Sequence, residues 1–166
     1  MPSKRPTVRV YADSCIYLSL IKRDKDPVAD GTPRWRVAKS LFSAAERGDV
    51  VILASSLVQA EVLGNGEVRT KPVDSSAQTV VAGWFLADYI EWCDLDRVIS
   101  RRVGELSSTY GLRGADAVHL ATAIRLRANV LLSNDNGYSG CHGQTIEGVQ
   151  VMKPAVVWQE TLEDVS

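Results

Sequence analysis

The sequence predicts an α/β fold, a parallel sheet with helices on both faces. Two observations carry this expectation. Strand-length apolar runs recur at Val8–Ala12, Val50–Ala54, Tyr89–Leu95, Asn129–Ser133 and Val149–Lys153, and helical patterns lie between them. Strands that alternate with helices pair in parallel through helical crossovers. The second and fourth runs contain Val50-Val-Ile-Leu-Ala54 and Val130-Leu-Leu132, nearly continuous rather than alternating. Such strands are buried on both faces, as in parallel sheets.

The helices follow from spacing and capping chemistry. A short helix is expected over Ser14–Ile21. Trp35, Ala38, Phe42 and Ala45 then recur at helical intervals, with Thr32 as the expected cap, Pro33 in the first turn and Gly48 at the end. A second short helix is expected over Leu57–Leu63. Ala77, Val80, Val81 and Trp84 form a further stripe, preceded by Asp74 and Ser75. Ile99, Val103, Leu106 and Tyr110 form the next, opened by Asp96 and closed by Gly111. Val118, Ala121, Ile124 and Ala128 form the last. The segments Arg23–Gly31 and Gly64–Val73 read as loops. The whole chain, 1–166, is expected to be one domain with a core over about 8–154 and a polar tail at Glu160–Ser166.

Acidic residues fall at the ends of these strands. Asp13 directly follows the first run and Asp135 the fourth; Asp116 opens the helix before the fourth run, and Glu61 lies on the short helix after the second. Sites in parallel sheets form beyond the carboxyl ends of the strands, so the four can converge on one rim. Each has an ordinary structural reading. Asp13 and Asp116 can cap helices, Asp135 can serve a turn in Ser133-Asn-Asp-Asn-Gly137, and Glu61 can lie on an exposed face. Taken together the balance shifts, because Asp116 and Glu61 sit among apolar neighbours, where an isolated carboxylate is costly unless paired or bound to metal. Clustered carboxylates suit hard cations such as Mg²⁺ and Mn²⁺, which relieve their repulsion and assist attack on phosphorus.

The segment Tyr110-Gly-Leu-Arg-Gly-Ala-Asp116-Ala-Val-His-Leu-Ala-Thr-Ala123 resembles the helix signature of PIN-domain proteins. Val10-Tyr-Ala-Asp13-Ser14, Ala60-Glu61-Val62 and Leu131-Leu-Ser-Asn-Asp135 are similar, in order, to that family's other acidic positions. The resemblance implies a three-layer α/β/α sandwich with a central parallel sheet, and Mg²⁺- or Mn²⁺-dependent endoribonuclease activity. It implies Asp13, Glu61 and Asp116 as the main metal ligands, Asp135 completing the set, and Ser14 and Ser133 as hydrogen-bond partners of ligands or phosphate. Arg113 is an expected phosphate contact or a solvated cation. Small members of the family are often VapC-type toxins of type II toxin–antitoxin pairs, which implies RNA as substrate, a protein antitoxin and a homodimer.

Composition limits the alternatives. The formal net charge is −1, so RNA contact is expected from a local patch aided by cations rather than from overall charge. No apolar run is long enough for a bilayer, and no signal-peptide core follows the basic Met1–Pro6, so a cytoplasmic location is expected. Cys15, Cys93 and Cys141 lack metal or disulfide spacing; Cys15 and Cys93 read as core, and Cys141-His142 does not complete a zinc site. His119 reads as a packed histidine with one satisfied nitrogen rather than a functional group, Thr122 as bonded to its own backbone, and Trp35, Trp84 and Trp92 as core. A non-catalytic PIN-like module that binds RNA or protein is the main alternative. A phosphotransferase with Asp13 as nucleophile is disfavoured, because no second Asp stands two residues on and no phosphate-binding glycine loop occurs.

Overall fold

A computed structural model describes residues 7–154. The basic start of the chain, Trp158 and the polar tail lie outside the described residues. The elements run β1 (Val8–Ala12), α1 (Ser14–Lys22), α2 (Arg34–Glu46), β2 (Val50–Ser55), α3 (Ser56–Gly64), α4 (Gly66–Arg69), α5 (Ser76–Leu86), β3 (Ile90–Cys93), α6 (Arg97–Tyr110), α7 (Gly114–Arg125), β4 (Val130–Leu132), β5 (Thr145–Ile146) and β6 (Val149–Met152). A short 3-10 turn, Asn136–Tyr138, follows β4.

The strands form one sheet in the order β3-β2-β1-β4-β6-β5. All neighbours pair in parallel except the β5–β6 edge hairpin. The expected α/β/α arrangement with its central parallel sheet is therefore present. The antiparallel β5 is an addition that the sequence reading missed; at two residues it is too short to show a periodicity. Val10, Tyr11 and Ala12 of β1 and Leu131 and Leu132 of β4 are fully or almost fully buried, which explains their continuous apolar character.

Capping chemistry sets most helix starts. Ser55, Ser75 and Asp96 each accept a hydrogen bond from a backbone N–H in the first turn of α3, α5 and α6. Gly111 ends α6 in the left-handed conformation, φ 66°, as its position predicts. Thr32 does not cap α2. Its hydroxyl donates to Asp30 instead, and the cap position is Pro33, which makes no side-chain cap bond. The Gly64–Val73 segment contains the four-residue α4, a turn too short to leave a stripe in the sequence.

One aromatic cluster ties the helices of one face together. Phe42 of α2 stacks on Trp84 of α5 at 5.0 Å, and the Tyr17 ring of α1 meets both edge-on at 5.2 Å. Trp35 departs from the core reading. It is only half-buried, with the guanidinium groups of Arg23 and Arg36 at 5.0 and 5.3 Å from its ring. Cys15 and Cys93 are both partly buried and pack against the core.

Candidate active site

The sheet order places the first crossovers on one side of β1 and returns the chain to β4 on the other. β1 and β4 are thus neighbours at the point where the winding reverses, the usual location of a site in such sheets. Asp13 leaves the end of β1, its N–H donating to the Leu132 carbonyl of β4 at 3.1 Å. Asp135 follows β4 by a few residues. Helix α7 packs against β2, β4 and α6 and brings Asp116 in its first turn to the same rim. One carboxylate oxygen from each of Asp13, Asp116 and Asp135 lies within 4.8 Å of the others.

Asp13 is the centre of the site and is 3% exposed. Its Oδ1 accepts the Ser14 N–H at 2.7 Å, which caps α1, and its Oδ2 accepts the Ser133 hydroxyl at 2.8 Å. The structural reading of Asp13 as a cap and the functional one are therefore both satisfied by one residue. Ser133 also accepts the Asp135 N–H at 3.0 Å, and Ser14 donates to Glu61 Oε2 at 3.2 Å. These two serines position carboxylates. Asp135 is exposed and accepts the Gly137 N–H at 2.8 Å, so its turn role is also real. Asp116 does not cap α7. It lies inside the first turn, at 7% exposure, and its carboxyl is free of that duty. Arg113 stands exposed at the cap position of α7.

The electrostatics match a crowded acidic rim. Burial, then the neighbouring Asp135 and Asp13 carboxylates, push the Asp116 carboxyl up to about 6, against smaller opposing pulls from His119 and Arg113. Gly137 belongs to this crowding. A Cβ at that position would collide with Asp116 Oδ2 and reach ordinary contact with Asp135 Oδ1. The turn after β4 thus closes on the end of the Asp116 side chain, and a residue larger than glycine at 137 would have to move that carboxylate, a requirement of space rather than of backbone angle.

Glu61 belongs to a second group, with Asp13 and His119. His119 is 1% exposed and both its ring nitrogens are engaged. Nε2 lies 2.6 Å from Glu61 Oε1 and 3.3 Å from Asp13 Oδ1; Nδ1 lies 2.7 Å from the Tyr11 hydroxyl. Tyr11 in turn donates to Ser55 Oγ at 2.9 Å. Burial alone would lower the His119 pKa, but the Glu61 hydrogen bond and the charges of Asp13, Glu61 and Asp116 outweigh it and raise it. His119 is thus packed, as the sequence suggests, but it is also part of the site, which the sequence reading did not favour. Its spacing of three from Asp116 on one helix was the available signal. Tyr11 and Ser55 gave none, since both read as ordinary strand residues. Cys15 touches Asp13 and Ser133 through its sulfur, and burial holds its thiol up at about 12, so it is an inert neighbour.

The donor set fits a hard divalent cation. Asp13, Asp116 and Asp135 offer oxygen alone, two of them are buried as like charges, and the structure spends a glycine to let them converge.

Comparisons with known proteins agree with this architecture. Among solved structures, VapC20 of Mycobacterium tuberculosis, described as a Sarcin-Ricin loop cleaving toxin, superposes with a TM-score of 0.57 at 16% identity, covering 78% of this chain and 92% of that one. A toxin–antitoxin complex from Klebsiella pneumoniae gives 0.54 at 19% identity, covering 84% and 94%. VapBC2 from Rickettsia felis, bound to a fragment of promoter DNA, gives 0.52 at 17% identity, covering 88% and 98%. At these identities the likeness speaks to the fold. No curated protein sequence matches the chain. The family model described as PIN domain matches residues 10–140, the span that carries all four rim carboxylates, and the chain belongs to the PIN domain family.

Proposed function

We propose that the protein is a metal-dependent endoribonuclease that hydrolyses RNA phosphodiester bonds, and that it acts as the toxin of a type II toxin–antitoxin pair. The observation that carries this reading is the convergence of Asp13, Asp116 and Asp135 at the β1–β4 switch point, with Glu61 beside them. In this reading the three aspartates hold Mg²⁺ or Mn²⁺. When bound, the cation supplies Lewis-acid stabilisation of the charge that builds on phosphate oxygens. The chain's own residues do the rest. Ser133 and the α1 N-terminus fix both oxygens of Asp13, so the ligand does not rotate. Ser14 and His119 hold Glu61. Asp135, on the exposed side, leaves the rim open to a phosphate backbone. Arg113, at the start of α7, offers a cation to that backbone.

The partner reading has its own support. A cleft of about 400 Å³ between α1, α2 and α5 is lined by Leu20, Ile21, Phe42, Val80 and Trp84 and edged by Arg23, Lys39 and Glu46. An apolar cleft with a charged edge suits an amphipathic segment of an antitoxin. Among the described residues no helix is long and apolar enough to cross a membrane, and the working location is the cytoplasm. The homodimer is tested by light scattering, where it is expected at twice the 18.1 kDa of one chain.

The decisive experiment incubates the protein and its Asp116→Asn variant with a pool of cellular RNA, in Mg²⁺, in Mn²⁺ and in chelator. Cleavage is expected only with metal and only from the parent protein. Cleavage by the variant at the parent's rate would refute the site. Absence of both cleavage and metal binding would favour a non-catalytic binding module.

A further inference from the structure

A chain of formal net charge −1 has to gather its RNA contacts from single cations set beside the acids. The sheet shows where one of them stands. Ala12, Leu132 and Met152 pair in register across β1, β4 and β6. The ladder runs one row further. The Asp13 N–H donates to the Leu132 carbonyl at 3.1 Å, and the Ser133 N–H donates to the Met152 carbonyl at 3.2 Å. The next row is therefore Asp13, Ser133 and Lys153. Its first two side chains already meet, the Ser133 hydroxyl donating to Asp13 Oδ2 at 2.8 Å. Neighbouring strands stand about 4.8 Å apart, which puts the Lys153 backbone about 10 Å from that of Asp13 along the rim.

The backbone holds Lys153 in place. Met152 before it is tied to Ser133, and Pro154 after it is buried. A residue before proline keeps an extended backbone, so the strand direction carries past Met152, and alternation turns Lys153 to the face of Val151. Val151 partners Leu131 in β4, and so Lys153 shares its face with Ser133. The Lys153 side chain is exposed. Burial, and then the Lys153 charge, hold the His142 imidazole below its ordinary value, against the opposing Ser133 backbone and Asp135 carboxylate. Ammonium, ring and acid thus gather on one side of the rim. Among the described residues no carboxylate pairs with Lys153, whereas Arg9, Arg102 and Arg125 each hold an acid of their own, Glu91, Glu147 and Asp96.

We infer that Lys153 is a substrate-binding residue: its ammonium, at the carboxyl end of β6 and in one row with Asp13 and Ser133, holds an RNA phosphate next to the one at the acids. This rests on the ribonuclease reading above. With Arg113 exposed at the start of α7, the rim has one cation on its helix side and one on its strand side. An ammonium against a phosphate oxygen positions the backbone and carries no base information, so Lys153 adds affinity without sequence preference.

The test measures binding of two fluorescein-labelled single-stranded RNAs of unrelated sequence by anisotropy, in a fixed low concentration of Mg²⁺ with KCl varied and circular dichroism as the control for folding. Asp116→Asn is the background, because in that reading it binds without cutting. Adding Lys153→Gln is expected to weaken both RNAs by the same factor and to reduce the slope of log K against log[KCl] by about 0.7, the loss of one phosphate contact on a single strand. Lys153→Arg is expected to keep the slope. Lys39→Gln, at the edge of the cleft between α1, α2 and α5, is expected to leave it unchanged. An unchanged slope in the folded Lys153→Gln protein, a loss confined to one of the two RNAs, or an equal loss in Lys39→Gln would each overturn the inference and leave the ribonuclease reading standing. No binding of either RNA by Asp116→Asn would overturn the RNA reading and this inference with it.

Discussion

Asp116 shows how a functional residue is held against its own stability. Its carboxyl titrates at about 6 in the fold, against about 3.9 in an unfolded chain. Between those values the folded state keeps a proton that the unfolded state has released. Stability of the metal-free protein therefore falls as pH rises from about 4 to about 6 and is lowest above that range. Asp116→Asn removes the charge, and in the absence of metal it is expected to stabilise the protein at pH 7 by roughly 1 kcal/mol once solvent screening is allowed for. Chemical denaturation in chelator at pH 7 and pH 4 measures this; a variant less stable than the parent at pH 7 would show that the carboxylate repulsion is not felt. Gly137 gives the steric counterpart. Gly137→Ala places a Cβ against Asp116 Oδ2, and it is expected to cost about 1–3 kcal/mol or to displace the Asp116 side chain. Mn²⁺ affinity should fall with it, and an unchanged dissociation constant in calorimetry would contradict the crowding.

At the scale of elements, packing between α1, α2 and α5 rests on Tyr17, Phe42 and Trp84. Trp84→Ala is expected to cost about 3–5 kcal/mol, because a large buried ring leaves a cavity that three rigid helices cannot collapse. Tyr17 carries an opposite expectation. Its hydroxyl is buried and has no hydrogen-bond partner among the described residues, so Tyr17→Phe removes an unsatisfied polar group while the ring contacts stay. A gain of about 1 kcal/mol in urea denaturation is expected; a loss of that size would reveal a partner for the hydroxyl. Element identities were largely legible because the longer helices carry apolar stripes and several carry a cap as well: Ser75 and Asp96 start α5 and α6 where their side chains predict. The exceptions are instructive. Thr32 had a competing local acceptor in Asp30, and α4 and β5 are too short for periodicity to speak.

At the scale of the whole molecule, the site depends on where β1, β4 and α7 meet, and stability should respond to whatever occupies it. Mn²⁺ at a hundred times its dissociation constant is expected to stabilise the parent by about 2.7 kcal/mol, and Asp116→Asn by far less, read as the shift in Tm. Equal shifts in the two proteins would place the cation elsewhere. By itself the sequence determined the α/β class, most of the helices and strands, and the four acidic positions, because burial on both faces of a strand and capping of a helix are local demands written in neighbouring residues. Only the tertiary structure decided which acids meet. Asp13, Asp116 and Asp135 converge because the chain reverses its winding between β1 and β4, while Glu61 is drawn to His119. The chain Ser55–Tyr11–His119–Glu61 joins residues from β2, β1, α7 and α3, and a hydrogen bond between residues far apart in sequence has no periodicity by which a single chain can announce it.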